Sequence, residues 1–351
     1  MELINDIRES KDFQGISFSN HKKGEVKKQL ILNILNGKIE ESCYWSAELL
    51  CAGHFVELWD IILLVVCKHI NIANPKLIIY IENRYNSFKK VINNGEFLKE
   101  LDIRNDENIR IIFCELICIL CFSNKKPPFE LVKISKKDEF DLCKFGEKLK
   151  AIHNEYAKSI FEPEDPKELY IPINEFMFHL SNDSKNILNA CYWIEWIIDF
   201  TLNCKKKKNK CLIQSRQYLQ IDNKFMNEPI WLIWDAIVFY SKKDSYIEKI
   251  VNSLLNTFCI KYTDGSSRKR RHLIYFAVSL VVEHINKNIP IIENKEKIKP
   301  ILDNIEKIYK QIKKNEHSPN TEYMFHNLQK ENAVKKSIAQ LNLVNSIEIQ
   351  K

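Results

Sequence analysis

Glycine is what this chain does without: it has 7 in 351 residues, alongside 10 prolines. Tight turns draw heavily on these two residue types, because glycine reaches positive φ and proline pre-sets a negative one. An all-β sandwich or barrel needs turn signals about every 8–12 residues. Punctuation this sparse leaves long segments, and they carry the helical period. Val26, Leu30, Ile31, Ile34 and Leu35 recur at helical spacing until Asn36-Gly37 supplies a left-handed stop. A second helix is expected over Ile39–Cys51, closed by Gly53, and a third from Phe55 to about Ile70. Asn74-Pro75 opens a fourth that carries Leu77, Ile78, Ile81 and Tyr85. A fifth, Ile109 to Phe122, is apolar almost all round, which in a globular chain means burial on most sides. The expected class is all-α.

Hydrophobic residues make up 45% of the sequence, enough for a core in one large or two ordinary domains. The 11 cysteines sit mostly within apolar runs, and the start, Met-Glu-Leu-Ile-Asn-Asp-Ile-Arg-Glu-Ser, is charged. The expectation is an intracellular chain, not secreted, of cytoplasm or nucleus, its thiols used as small hydrophobes. The longest apolar run, Ile61–Cys67, is far short of the ~20 residues of a membrane span, so no membrane association is expected.

Segment order sets the expected organisation. Cys43-Tyr44-Trp45 returns as Cys191-Tyr192-Trp193, and Leu58-Trp59-Asp60 returns as Ile233-Trp234-Asp235. Two further segments follow in the same order, Tyr246–Phe258 standing where Lys76–Phe88 stood and Arg271–Ile285 for Ile109–Phe122. This favours a diverged tandem duplication; the alternative is convergence of Trp, Leu and Ile at helical spacing. The expected layout is a polar arm over 1–24, helical repeats over 25–134 and 173–290, and a charged connector over 135–172. A basic insertion, 203–227, interrupts the second repeat. Residues 291–351 are expected to hold C-terminal helices: a strongly amphipathic one over 295–314, with Ile298, Ile301, Leu302, Ile305, Ile308 and Ile312 on one face, and a weaker one over 321–345.

The first repeat resembles a known family. Glu40, Ser42 or Cys43, Tyr44, Trp45, Gly53 and the loop Ile70-Asn71-Ile72-Ala73-Asn74-Pro75 stand in the order of the helical C-terminal domain of the MgsA/RarA and Werner-helicase-interacting-protein ATPases. Lys68-His69 stand where that family carries an acidic pair. The resemblance implies a fold like the collar of clamp loaders, oligomerisation, and work at replication forks. The whole chain also resembles uncharacterised proteins of large nucleocytoplasmic DNA viruses, which implies the viral factory of an infected cell as a further location. The family's ATPase needs a Gly-x-x-x-x-Gly-Lys-Ser/Thr loop, and none is present; Gly37-Lys38 is followed by Ile39. The chain is not read as the motor.

No motif speaks for catalysis, and no cofactor is expected. There is no His-Glu-x-x-His and no Gly-x-Ser-x-Gly. Cys114, Cys118 and Cys121 have aliphatic neighbours, unlike a zinc knuckle, and read as buried thiols. Cys204 and Cys211 flank a basic loop without a second close pair, so no metal site is expected there either.

The net charge is +7, and the clusters matter more than the total. Lys205, Lys206, Lys207, Lys208 and Lys210, with Arg216, form an acid-poor run, and Arg268, Lys269, Arg270 and Arg271 open a helix. Both lie in the second repeat and are the candidate contacts to DNA phosphates. Their plainer reading is a solvated loop and a polar turn, and Arg268–Arg271 also fits a nuclear-localisation signal. The expected function is a non-enzymatic DNA-replication or repair accessory protein, with partner proteins or self-association through the first repeat and the C-terminal helix. The alternative is a structural or scaffold protein of a viral particle or multi-protein complex.

Overall fold

The computed structural model describes residues 3–95, 97, 100–127, 132, 134, 146–208, 211–292 and 295–317. Among these the protein is all-α, without a β-strand; Ile16 and Lys22 make one isolated bridge. The chain forms two compact units. Met1–Lys126 and the segment beginning at Pro290 make the first, and Pro127–Ile289 make the second.

In the first unit, α1 (Lys23–Leu35) buries Val26, Leu30 and Ile34, and Gly37 turns the chain at φ +68° into α2 (Ile39–Cys51). Gly53 follows at φ +79°, a conformation that favours glycine, and a Cβ there would stand 2.8 Å from Leu101 Cδ2 and push that side chain aside. α3 (Phe55–Leu64) widens into a π turn over Val65–Ile70 rather than continuing as α-helix, and Asn71 at φ 38° ends it. α4 (Leu77–Asn94) leads to α5 (Glu107–Phe122), whose N-cap Asp106 accepts from Ile109 N at 3.0 Å. α2 packs on α1 and α5, and α4 on α5. Trp59 of α3 sits among Tyr85, Phe88 and Phe113, with ring centroids 5.1, 5.6 and 5.2 Å away.

The first twenty or so residues correct the expectation of a loosely attached arm. Phe13 and Phe18 are fully buried with stacked rings, and the Arg8 guanidinium lies 4.6 and 4.8 Å from their centroids. Buried Glu48 of α2 accepts from Ser17 Oγ at 2.7 Å, Ser19 N at 2.9 Å and Ser19 Oγ at 2.5 Å. The two anchoring phenylalanines lack helical spacing, so the segment carries no packing signal in the sequence.

The C-terminal segment returns to the same unit. The expected amphipathic helix is two, α12 (Lys295–Asp303) and α13 (Ile305–Lys313), with Pro300 inside the first and the break at Asn304. α13 packs on α2 and α5, burying Ile305, Tyr309 and Ile312, so this apolar face is spent within the chain. Arg110 of α5, fully buried, bonds both carboxylate oxygens of Glu306 at 3.1 and 3.2 Å and lies 3.9 Å over the Tyr309 ring. The Asn74 side chain donates to Ile291 O at 3.0 Å, tying the Asn-Pro loop to the returning strand of chain. The expected helix over 321–345 lies outside the described residues.

The second unit runs α6 (Tyr170–Leu180), α7 (Ile187–Lys206), α8 (Ile230–Ser241), α9 (Ser245–Cys259), the single turn α10 (Ser266–Lys269) and α11 (Arg271–Val282). α7 packs on α6 and α11, and α9 on α8 and α11. Of the expected connector, 135–145 lie outside the described residues, while 146–169 are short turns belonging to this unit, with Ala157 and Leu169 fully buried.

Phe18→Ala should destabilise the first unit by about 3–5 kcal/mol, as deletion of a buried ring does. Urea denaturation followed by circular dichroism measures this, and a change under 1 kcal/mol or so would return residues 3–22 to a loose arm.

Candidate nucleic-acid interface

α7 begins at Asn186, whose side chain caps Asn189 N at 3.0 Å, and buries Ala190, Cys191, Trp193, Ile194, Ile197 and Ile198 on the way. Its last turn emerges with Lys205 and Lys206, followed by Lys207 and by Lys208 at φ +57°. Cations are favourable at this end, where the helix carries partial negative charge. Lys206, Lys207 and Lys208 are exposed and make no ion pair among the described residues. Lys205 is different. Its ammonium donates to Glu228 Oε1 at 2.7 Å and to Asp264 Oδ1 at 3.1 Å. Glu228 is buried and also accepts from Tyr262 OH at 2.6 Å. Burial raises the Glu228 carboxyl above the usual range, with the Lys205 and Tyr262 bonds pulling the other way.

The Lys205–Asp264 bridge brings the end of α7 beside the turn that leads into the second basic cluster. There the four residues divide. Arg268 and Lys269 are exposed. Arg270 turns inward and donates to the carbonyls of Phe258, at 2.8 Å, and Ile260, satisfying the end of α9. Arg271 donates to Glu195 Oε2 of α7 at 2.7 Å, and Tyr275 OH completes that carboxylate at Oε1, also at 2.7 Å. Burial raises the Glu195 carboxyl, opposed by the Tyr275 bond and the Arg271 charge.

Arg216 is not a phosphate ligand. It is buried, with Nη2 2.8 Å from Asp165 Oδ2, Nε 2.7 Å from Asp235 Oδ2 and Nη1 2.9 Å from Gln214 O. Tyr218 donates to the remaining Asp235 oxygen. The guanidinium thus staples the basic insertion to the turn at Asp165 and to α8, and this part of the insertion is a built structure rather than a solvated loop. Lys210 lies outside the described residues. Of the ten expected contacts, Lys205, Arg216, Arg270 and Arg271 serve the fold, and Lys206, Lys207, Lys208, Arg268 and Lys269 face solvent. Lys224, exposed and 2.9 Å from Asp222, joins this neighbourhood: its charge is felt by Asp264. Standing alone in sequence, it carries no cluster signal.

Two other arrangements have catalytic or ligand-binding ingredients. Buried His179 has Nδ1 2.8 Å from Ser184 Oγ and Nε2 3.9 Å from Glu175 Oε2. Glu175, however, is buried too and is occupied by Lys150 N at 2.8 Å and Ala151 N at 3.0 Å, so it pins the 146–151 turn to α6. Burial lowers the imidazole from 6.5 to about 4. A cleft of about 460 Å³ opens where α6, α8 and α11 end, lined by Lys185, Lys243 and Lys287. Three helix C-termini present partial negative charge there, Asp244 and Glu283 add to it, and Lys287 pairs with Asp244 at 2.6 Å.

No family model, curated protein or solved structure matches the chain.

Arg216→Ala should destabilise the second unit by about 3–5 kcal/mol, since it leaves Asp165 buried and unpaired, whereas Lys207→Ala should stay within about 0.5 kcal/mol. Denaturant midpoints compare the two. His179 gives a pH signature: neutral in the fold but ordinary when unfolded, it makes the unfolded chain bind more protons, so stability falls as pH drops from 6.5 towards about 4. His179→Gln should flatten that slope, read from urea midpoints across the window.

Proposed function

We propose that the protein is a non-enzymatic accessory factor of DNA replication or repair that holds a nucleic-acid backbone at the end of α7 and the turn before α11. The observation that carries this reading is the Lys205–Asp264 bridge, which sets the two basic clusters beside one another while Lys206, Lys207, Lys208, Arg268 and Lys269 stay exposed. Contacts of this kind are electrostatic and sequence-independent: lysine supplies point charge, arginine a bidentate fork, and each phosphate neutralised releases counterions. Glu228 and Asp264 share the one charge of Lys205, so a single acid charge is left over against the five exposed cations of the patch.

The collar-like reading belongs to the same proposal. The seam between the Cys-Tyr-Trp helix and the last long helix recurs as α2 on α5 and α7 on α11, and the preceding hairpin recurs as α1 on α2 and α6 on α7. Trp59 and Trp234 each sit in an aromatic cluster of their own unit. This equivalence of partners supports a tandem duplication in which only the second copy gained the basic insertion.

Fluorescence anisotropy with single-stranded, duplex and forked DNA at several salt concentrations tests the reading. Binding should weaken linearly in log salt, with a slope of about −0.9 per phosphate contacted on duplex. Replacing Lys206, Lys207 and Lys208 by Ser should leave helicity unchanged and make that slope shallower by about 2–3. Absence of binding at low salt, or an unchanged slope in the variant, would exclude this interface and favour a scaffold whose lysines meet acidic protein.

A further inference from the structure

The seam between α2 and α5 brings together three thiols that the sequence keeps far apart. Cys114 and Cys118 stand one turn apart on the same face of α5, and Cys43 of α2 meets them with its Sγ 3.8 Å from Cys114 Sγ and 4.0 Å from Cys118 Sγ. All three sulfurs lie within 4.8 Å of one another. Cys121, expected as the third member of the cluster, is replaced by Cys43, because the pairing is made across two helices and not along one. These separations are about twice a disulfide bond of ~2.05 Å, so the thiols are neighbours without being bonded.

We propose that this seam is a binding site for a soft, three-coordinate cation of the Cu(I) class, held by the thiolates of Cys43, Cys114 and Cys118. The geometry carries the proposal. A metal–sulfur bond of about 2.3 Å places sulfurs about 4.0 Å apart around a trigonal ion, and about 3.8 Å apart around a tetrahedral one. The two edges measured here fall on those values, and the third lies within 4.8 Å. Ligand number then chooses between metals. Structural zinc takes four protein ligands, and among the described residues no fourth Cys, His or carboxylate completes this group. Thiolate softness selects Cu(I) for three sulfurs. Binding replaces three S–H bonds by three S–Cu bonds and releases three protons; copper enters and stays as Cu(I), so no oxidant or reductant takes part.

Helix packing alone does not call for this sulfur. In the second unit the corresponding seam of α7 on α11 carries Cys191, with Tyr275 of α11 bonded to Glu195 one turn along α7. The site lies in the interior of the unit: Cys43 and Cys114 are each 4% exposed and Cys118 is fully buried. An occupied site would clamp α2, on which α1, α5 and α13 all pack, and so stiffen the first unit as a whole.

The test uses the full chain carrying Cys204→Ser and Cys211→Ser, which removes the other near pair of cysteines. Anaerobic titration with Cu(I) in competition with a chromogenic Cu(I) chelator should show one equivalent retained per chain and a higher melting temperature. X-ray absorption at the copper edge should count three sulfur neighbours at about 2.3 Å. Cys118→Ala should lower the affinity at least tenfold, whereas Cys67→Ala, at a buried thiol outside the cluster, should not. No retained copper, a shell of two sulfurs or of nitrogen and oxygen, or equal binding by folded Cys118→Ala would overturn the proposal. Zinc competing on equal terms would overturn the three-coordinate assignment. Because the absorption measurement needs none of the cluster variants, the outcome does not depend on whether Cys118→Ala folds.

Discussion

A guanidinium taken out of water must find acceptors for its donors, or the unit that buries it does not hold together. Arg110 and Arg216 set this condition, one in each unit. Arg110 collects Arg104 O at 2.8 Å, Asn105 Oδ1 at 3.1 Å and the Glu306 carboxylate, with the Tyr309 ring over its face. Those partners come from the turn before α5 and from a helix almost two hundred residues later, so the charge can be buried only once the C-terminal segment has returned. Arg216 makes the same demand of Asp165 and Asp235. Each arginine therefore acts as a check that distant chain is in place.

Using cations this way changes how a basic sequence should be read. Six of the ten clustered charges were expected in one run from Lys205 to Arg216, and they do not share a fate. Lys205 and Arg216 neutralise buried or half-buried acids, while the three lysines between them in the described chain face water. Arg268 to Arg271 divide likewise, because consecutive residues at a helix start point in different directions. Two of that quartet meet solvent, one caps α9 and one meets Glu195. A charge run names the chemistry present, and the acids that claim its members lie dozens of residues away.

The thiols tell a similar story. Cys114 and Cys118 were visible as neighbours on one helix face, since their spacing is helical. Cys43, the residue that turns a pair into a triad, is supplied by another helix, and only the α2–α5 seam makes that choice.

What this sequence determined by itself is local. Turn-poor composition and apolar residues at the helical period are properties of short windows, and they are enough for the all-α class, for the five helices before residue 123, and for stops such as Gly37 and Gly53. Even the widening of α3 into a π turn leaves its expected end at Ile70 in place. What only the tertiary structure decided is every pairing between windows. Phe13 and Phe18 packed a polar arm, α12 and α13 went back to the first unit, and acids separated by up to 196 positions claimed arginines and Lys205. The physical reason is range: helical periodicity is written in contacts three and four residues apart, whereas the partner of a buried charge or thiol is fixed by packing between elements, and single residues carry no mark of which element will arrive.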